Sequence, residues 1–403
     1  MSGAVLPYLP HHTPEVFVTH CIIPIGGGNE IGASSYYIEF DGVRLLLDCG
    51  IRPGGPAFYP DYNFLLSTRL DAFWELDAVI LSHAHYDHIG SLPYLTSQVD
   101  RLEILSSFQT RELTSLQLYT LGRKPGKKAA AGDFCFYREN QILRAVDMIQ
   151  PLPFEKEIRY KNFSVTLFPA GHMPGAAMTL IQTANHKILY TGDFCDMDYP
   201  LTDGYRLPDG LNPDTVILCG THAYRPYYAG ELRLEDVLRG IHALFGRGIN
   251  AAVPVRNISK GIEFATLMDK CMERGMLQEC IITLDHKLSA IADAFEDMNY
   301  PVYSKNLRNS SASPGKGLPV LAVVSEPFTG PGFAGYDITD FSLHAGYEAV
   351  KQLIRKLKPR QTMIVHAEAG KRGGRNVITD LILRDGYQGD IFQGENGVIY
   401  EFE

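Results

Sequence analysis

Residues 81–95, LSHAHYDHIGSLPYL, gather several metal-binding side chains directly after an apolar run. His83, His85, Asp87 and His88 form the pattern H-x-H-x-D-H. Imidazole and carboxylate groups are ligands of Zn²⁺, and two histidines two positions apart on a loop can face one ion. Asp87 and His88 then offer ligands for a second ion nearby. A surface histidine cluster is the alternative, but four such residues within six positions after a buried strand favour a metal site.

Three further candidates also follow apolar runs. His172 lies in PAGHMPGAAM between two predicted strands, and this setting favours a ligand over an ordinary buried histidine. Asp193, in YTGDF, ends the next strand and could bridge two ions. An aspartate at a strand end, such as Asp48 in LLLDCG, is usually a cap or a turn residue. We therefore expect Asp48 to orient a histidine ligand rather than to bind metal itself.

The first half of the chain must position these residues, and its pattern predicts strands. Residues 34–40 and 43–48 predict a hairpin, because Asp-Gly between them suits a tight primed turn. The short apolar segments 77–82, 163–171 and 186–193 predict further strands, each followed by or ending in a candidate ligand. Ligands on loops that leave strand ends are typical of a rigid scaffold that presents a site.

The second half of the chain alternates strands and helices. The predicted strands are residues 249–255, 280–285 and 362–370. The predicted helices are residues 232–248, 261–275, 286–298 and 346–359. Residues 304–317, rich in Ser, Gly and Pro, predict a polar loop. This alternation indicates an α/β fold with a parallel sheet.

Composition and charge exclude several classes of protein. A chain of 403 residues predicts one large or two ordinary domains, and 45% hydrophobic with 21% charged residues excludes global disorder. A formal net charge of −9 does not suggest nucleic-acid binding through bulk charge, although a local basic groove is compatible with it. There is no apolar run of about 18 residues, so we expect no membrane partner.

The cysteines and the N-terminal segment indicate a cytoplasmic location. The seven cysteines are scattered and form no C-x-x-C pair, which favours a reducing compartment over a disulfide framework. The first residues, MSGAVLPYLPHHTPEVF, lack the basic and apolar regions of a secretory signal.

Taken together, the motifs resemble those of the metallo-β-lactamase superfamily. Asp48, the H-x-H-x-D-H segment, His172 and Asp193 match its four motifs in order. Residues 26–55 resemble the start of the β-CASP nucleases, the group that includes polyadenylation-site endonucleases and RNase J-like enzymes. Residues 341–368 are similar to two histidine motifs of that group and contain His344 and His366, while residues 320–336 resemble its Gly-rich segment.

The resemblance implies a fold and a domain organisation. It implies an α/β protein with a metallo-β-lactamase αββα sandwich and an inserted, smaller β/α cap domain of β-CASP type. We expect residues 1–225 and 336–403 to form the metallo-β-lactamase domain and residues 226–335 to form the cap. This cap is shorter than the resemblance suggests, so the cleft should be more open or should differ in which end of a nucleic-acid strand it accepts.

The resemblance also assigns roles to residues. One zinc ion would be held by His83, His85 and His172. The other would be held by Asp87, His88 and His366, with Asp193 bridging the two. We therefore expect two Zn²⁺ ions, with Mn²⁺ as an alternative. His344 would be the general acid that protonates the leaving oxygen, and Asp87 and Asp193 would also be catalytic.

The chain departs from the family pattern at one strand end. The family places an acidic residue after the bridging aspartate, where it orients the general acid. Here residues 214–224 offer Cys219 or Gly220 instead. His344 then lacks its usual carboxylate partner, and His222 is the candidate that could compensate.

These expectations lead to three candidate functions. The first is a zinc-dependent phosphodiester hydrolase that acts on RNA, with single-stranded DNA as a second substrate. The others are a metal-dependent hydrolase of a small ester, thioester or lactone, and a catalytically silent scaffold of an RNA-processing complex. Lys371, Arg372 and Arg375, just after His366, are candidates for nucleic-acid contacts. Edges of the β/α layers could pair in a homodimer.

Overall fold

The computed structural model describes residues 20–52, 58–122, 137–224, 234–255, 257–309, 317–328, 330–338, 341–368 and 386–402. In chain order the strands there are β1 (His20–Gly26), β2 (Ser35–Phe40), β3 (Val43–Leu47), β4 (Ala78–Ile80), β5 (Ile104–Ser107), β6 (Ile149–Leu152), β7 (Ile158–Arg159), β8 (Ser164–Pro169), β9 (Ala177–Gln182), β10 (Lys187–Tyr190), β11 (Thr215–Cys219), β12 (Asn250–Pro254), β13 (Ile281–Leu284), β14 (Leu307–Asn309), β15 (Val320–Val324), β16 (Phe333–Gly335), β17 (Gln361–Val365), β18 (Asp390–Gln393) and β19 (Tyr400–Phe402). The helices are α1 (Tyr62–Thr68), α2 (Tyr86–Ile89), α3 (Leu92–Ser97), α4 (Phe108–Gly122), α5 (Glu139–Asp147), α6 (Leu234–Phe245), α7 (Ile258–Glu273), α8 (His286–Asp297) and α9 (Tyr347–Leu357).

Two seven-stranded sheets form the larger part of the molecule. The first has the strand order β19-β1-β2-β3-β4-β5-β6 and the second has the order β18-β17-β11-β10-β9-β8-β7. The predicted hairpin is confirmed: β2 and β3 pair antiparallel, and the turn residues Asp41 and Gly42 have φ angles of 52° and 75°. A turn with two positive φ angles matches the right-handed twist of the strands that it joins.

The two sheets pack face to face, and helices cover their outer faces. Ile38 and Leu45 of the first sheet share one buried cluster with Ile181 and Ile188 of the second. Neighbouring residues of the same strands, such as Leu46, belong to a separate cluster that includes residues of α3, α5 and α9. Successive side chains of a strand point to opposite faces, so this division is that of an αββα sandwich, as predicted.

A third, smaller sheet lies in the second half of the chain. Its strand order is β14-β13-β15-β12-β16, and all its paired strands run parallel. The predicted β/α alternation is therefore confirmed, with α7 and α8 as crossover helices. The polar loop predicted for residues 304–317 is partly wrong: Leu307 is fully buried, and it begins the short strand β14 beside β13.

The third sheet lies between β11 and β17 in the sequence, yet β11 and β17 pair with each other in the second sheet. The smaller sheet is thus an insertion into the sandwich. The exact boundaries of the cap, residues 226 and 335, stay a prediction. No helix in the described part of the chain combines the length and the apolar character that a membrane span requires.

Candidate metal centre

The candidate ligands meet at one edge of the sandwich because they follow strand ends of both sheets. In the first sheet, Asp48 follows β3, and the His83–His88 segment follows β4. In the second sheet, His172 follows β8, Asp193 follows β10 and His366 follows β17. A site built from the ends of several strands inherits the rigidity of the sheets.

Backbone contacts hold the short helix α2, and with it Asp87 and His88, against the first sheet. The Ser34 N–H donates to the Asp87 carbonyl at 2.8 Å, and the Cys49 N–H donates to the His88 carbonyl at 2.8 Å. A Cβ atom on Gly50 would lie 1.7 Å from the Asp87 carbonyl oxygen. Only glycine therefore permits α2 to approach so closely.

The first group of buried ligands contains three histidines and Asp193. His85 Nδ1 lies 2.9 Å from His83 Nε2 and 3.1 Å from His172 Nε2. One ligand atom from each of the four residues lies within 4.8 Å of the others. Zn–N distances near 2.0–2.1 Å place the ligands of a tetrahedral zinc about 3.3–3.5 Å apart. These residues are close to that spacing.

The second group contains Asp87, His88 and His366, whose ligand atoms also lie within 4.8 Å of one another. His366 Nε2 lies 3.7 Å from Asp87 Oδ2. His366 has a φ angle of 51°, an uncommon value for a residue with a side chain. Its N–H donates to the Gly27 carbonyl at 2.5 Å, a contact that holds this conformation.

Asp193 lies between the two groups. Its Oδ2 atom is 3.8 Å from His83 Nε2 and 3.9 Å from His172 Nε2 in the first group. The same atom is 3.5 Å from His88 Nε2 and 3.8 Å from His366 Nε2 in the second group. This is the position that a carboxylate bridging two cations requires.

The residues present fit divalent cations on two observations. Asp193 Oδ1 is buried and has no hydrogen-bond partner among the described residues, although burial of an unpaired carboxylate oxygen is costly. Imidazole nitrogens of His83, His85 and His172 also face one another, and among the described residues no carboxylate is close enough to satisfy them all. A cation bound by these atoms would remove both costs.

Asp48 contacts His88 and not the middle of the site. Its Oδ2 accepts from His88 Nδ1 at 2.7 Å, from the Ser82 hydroxyl at 2.7 Å and from the Tyr190 hydroxyl at 2.5 Å. Its Oδ1 accepts from the Ser82 N–H at 2.7 Å. A histidine whose Nδ1–H is held by a carboxylate directs its Nε2 lone pair toward the metal. Asp48 has the placement expected of a residue that orients a ligand.

Sequence reasoning missed the residues that hold the outer nitrogens of three other histidines. Ser34 Oγ lies 2.8 Å from His366 Nδ1, and Ser259 Oγ lies 2.9 Å from His85 Nε2. His172 Nδ1 donates to the Leu343 carbonyl at 2.7 Å. Ser259 is in the first turn of α7, so the smaller sheet's own helix touches the site. Isolated serines and a main-chain carbonyl carry no sequence signal for this role.

Burial and charge set the protonation of the groups. Burial lowers the pKa of His83, His172 and His366, and it lowers the pKa of His85 to about 4. These rings are therefore neutral near pH 7, as metal ligands must be.

Asp193 and His88 shift each other's pKa. Burial opposes ionisation of Asp193, but His366, His88 and His344 outweigh it and hold the pKa of this carboxyl well below its usual range. Burial likewise opposes protonation of His88, but Asp193 and Asp48 outweigh it and raise the pKa of that ring. Asp193 is thus a carboxylate, and a cation at the site would take over the balancing role of the His88 proton.

His344 lies at the open side of the site, with 24% of its side chain exposed. Its Nε2 is 3.1 Å from Asp193 Oδ2. Its Nδ1 is 3.3 Å from Ser342 Oγ, and Ser342 Oγ is 2.9 Å from His222 Nε2. His344 is therefore connected to His222 through one hydroxyl group.

Cys219 does not take the place of the expected acidic residue. It is buried in the cluster between the two sheets, and its thiol donates to the Tyr190 hydroxyl oxygen at 3.8 Å. Gly220 has no side chain, and an added Cβ would meet Ile364 Cγ2 at 2.7 Å. Among the described residues, the group that reaches Ser342 from this strand end is His222. Lys371, Arg372 and Arg375 lie outside the described residues.

Comparisons with known proteins agree with the fold. Residues 37–204 match the metallo-β-lactamase superfamily domain. Endoribonuclease ysh-1 of Neurospora crassa is 27% identical over 250 residues, 61% of this chain and 29% of that protein. Integrator complex subunit 11 of Danio rerio is 28% identical over 266 residues, 65% of this chain and 43% of that protein. Cleavage and polyadenylation specificity factor 73 of Drosophila melanogaster is 24% identical over 422 residues, 86% of this chain and 60% of that protein.

A solved structure shows the same fold over nearly the whole chain. The crystal structure of a protein of unknown function from Enterococcus faecalis V583 matches with a TM-score of 0.58 and 16% identity, covering 95% of this chain and 100% of that chain. The match to the metallo-β-lactamase superfamily domain covers less than half of this chain and agrees with the resemblance of its motifs. The chain spans less than two thirds of the length of each of the three relatives above.

Proposed function

We propose that this protein is a metal-dependent phosphodiesterase that cleaves RNA at a centre of two Zn²⁺ ions. The observation that carries the proposal is Asp193 Oδ2, which lies within 4 Å of histidine nitrogens from both ligand groups. A centre with one shared carboxylate suits in-line displacement at phosphorus. The names of the relatives, an endoribonuclease and two subunits of RNA-processing factors, support RNA as the substrate.

The ligand assignment follows the two groups. His83, His85 and His172 would hold one ion, while Asp87, His88 and His366 would hold the other, with Asp193 shared. When bound, such ions lower the pKa of a water molecule and offset the negative charge that develops on the phosphate. Mn²⁺ suits the carboxylates as well, but five histidines favour zinc.

The chain's own residues then manage the leaving group. His344 is partly exposed beside the ligands, so its Nε2 can reach a leaving oxygen and donate a proton to it. Ser342 holds the Nδ1 side of the ring, and His222 holds Ser342. In this proposal His222 positions the general acid through Ser342, where the family uses a carboxylate.

The inserted sheet would form one wall of the substrate cleft. We infer that residues 226–335 are the cap, since Ser259 at the start of α7 contacts His85. Lys371, Arg372 and Arg375 follow His366 in the sequence and would neutralise phosphates of the bound RNA. A cytoplasmic location and a homodimer stay predictions from the sequence.

The test is cleavage of end-labelled single-stranded RNA and of DNA with the same sequence. We expect RNA fragments from the zinc-loaded protein, none after chelation, and recovery when zinc is added back. The His344→Ala variant should cleave the same RNA slowly. Hydrolysis of acyl esters or lactones without RNA cleavage would replace the proposal with small-molecule hydrolysis. A zinc-loaded protein that cleaves neither class would favour the scaffold.

A further inference from the structure

A third group, of two histidines and one aspartate, lies at the end of the sandwich opposite the candidate metal centre. His20 begins β1, Asp41 is in the turn between β2 and β3, and His186 directly precedes β10. Asp41 and Asp48 flank β3, and His186 and Asp193 flank β10, each pair seven positions apart. At about 3.3 Å per strand residue, roughly 20 Å separates this group from the candidate metal centre.

The spacing of the three side chains suits a metal ion. His20 Nε2 lies 3.5 Å from Asp41 Oδ1, and His186 Nδ1 lies 3.4 Å from Asp41 Oδ2. One ligand atom from each residue lies within 4.8 Å of the others. Ligands of a tetrahedral zinc are about 3.3–3.5 Å apart, since Zn–N and Zn–O bonds are near 2.0–2.2 Å. The rings of His20 and His186 meet edge to face, with centroids 4.3 Å apart.

Neighbouring groups fix the carboxylate between the two rings. Asp41 Oδ2 accepts from the Thr183 hydroxyl at 2.6 Å and from the Asn185 N–H at 2.8 Å, and Oδ1 accepts from the Asn185 side chain at 2.9 Å. Burial opposes the charge, but these hydrogen bonds outweigh it and lower the pKa of Asp41, so the group is ionised. Hydrogen bonds of this kind commonly orient a carboxylate that binds metal.

Exposure leaves room for solvent at the group. The side chains of His20, Asp41 and His186 are 15%, 11% and 17% exposed. A water molecule can therefore supply the fourth ligand. His20 also stacks on Phe40, with ring centroids 5.5 Å apart, so its ring has a defined orientation before any ion binds.

We propose that His20, Asp41 and His186 bind one Zn²⁺ ion, which joins the two sheets at the end opposite the candidate metal centre. His20 and Asp41 come from the first sheet and His186 from the second, so an ion between them crosses the sandwich. The role is structural: the ion would hold the β2–β3 turn against the β9–β10 turn. The site does not depend on the proposed nuclease function.

Zinc per chain, measured by mass spectrometry after equilibration with Zn²⁺ and removal of free metal, tests the proposal. His20→Phe keeps the stacking on Phe40 and removes a ligand, so it should lose one zinc per chain. His186→Phe should do the same. His286→Phe, at an exposed histidine of α8, is the matched control and should lose none. Added zinc should raise the Tm of the wild-type protein more than that of either ligand variant.

A second set of variants distinguishes zinc at this site from zinc at the candidate metal centre. His83→Ala and His366→Ala should lose zinc from the centre and still retain the ion at His20 and His186. If the centre binds no zinc at all, wild type and His186→Phe should still differ by one ion. Equal zinc in wild type, His20→Phe and His186→Phe would overturn the proposal. Should either variant unfold, Asp41→Asn, which keeps an oxygen acceptor for Thr183, provides the same comparison.

Discussion

At the scale of single residues, the centre depends on one carboxylate among histidines. Asp193 Oδ2 has five histidine nitrogens between 3.1 and 3.9 Å away. Burial keeps most of those rings neutral, while the carboxyl stays ionised because of the charges around it. The arrangement is suited to bind cations and poorly suited to remain without them.

Asp87→Ala should reduce zinc content and abolish activity, because it removes the carboxylate of the second group. His344→Ala should slow turnover by about 100-fold or more while zinc stays bound, since it removes a general acid and no ligand. Metal analysis and single-turnover RNA cleavage distinguish the two variants. Asp71→Ala, at an exposed site, serves as the control. Loss of zinc in His344→Ala would contradict its assigned role.

His222→Ala should lower kcat by about 10–100-fold, the usual effect of removing a residue that orients a functional group. KM and zinc content should not change, since His222 contacts Ser342 and not the ligand atoms. His222→Gln should recover part of the loss, because its amide can bond to the Ser342 hydroxyl. A wild-type kcat in His222→Ala would show that His344 needs no support from this side.

At the scale of elements, strand ends and one helix of the inserted smaller sheet position the residues of the site. The strands place the ligands, and Gly50 allows α2 to lie against the first sheet. Helix α7 adds Ser259 beside His85 and, one turn later, the buried Glu263. Glu263 Oε1 accepts from the Leu201 N–H at 2.9 Å, so α7 is also anchored to the loop after Asp193.

Glu263 should make this anchor sensitive to pH. Burial raises its pKa to about 8, so the folded protein keeps the carboxyl protonated, whereas the unfolded chain ionises near the ordinary 4.5. The stabilising effect is therefore complete below about pH 4.5 and is lost as pH rises toward 8. Between pH 5 and 8, wild type should lose on the order of a few kcal/mol relative to Glu263→Gln.

Urea unfolding at both pH values gives this difference directly, and other titrating groups cancel between the two proteins. Glu235→Gln, at an exposed position of α6, should behave as wild type does. A pH dependence that is the same in Glu263→Gln and wild type would show that the carboxyl is ionised in the folded state.

At the scale of the whole molecule, the site joins segments that are far apart in the sequence. Its candidate ligands span residues 83 to 366, and the pairing of β11 with β17 closes the second sheet across the inserted smaller sheet. Metal binding should therefore stabilise the whole fold and not a single loop. Zinc at about 100 times its Kd should add about 2.7 kcal/mol per site to the free energy of unfolding.

Thermal unfolding with and without chelator measures this effect. We expect chelation to lower the Tm of the wild-type protein and to have less effect on His83→Ala, which has already lost part of the centre. A Tm that is the same in zinc and in chelator would mean that the ligands hold no ion in the folded protein.

The sequence by itself determined the types of the candidate ligands and their place after strands. H-x-H-x-D-H after an apolar run, His172 and Asp193 are local patterns, and local patterns follow from the spacing of apolar residues and the chemistry of side chains. The β/α alternation of the second half was equally readable, whereas β14 was hidden in a polar segment and depends on its pairing with β13.

Only the tertiary structure decided which side chains meet. His222 reaches His344 through Ser342, Ser259 reaches His85, and His20 and Asp41 meet His186. Each of these contacts joins segments more than 80 positions apart in the chain. The stacking of the two sheets and the packing of an inserted helix bring these distant segments together. Those arrangements depend on the whole hydrophobic core, and no short stretch of sequence encodes them.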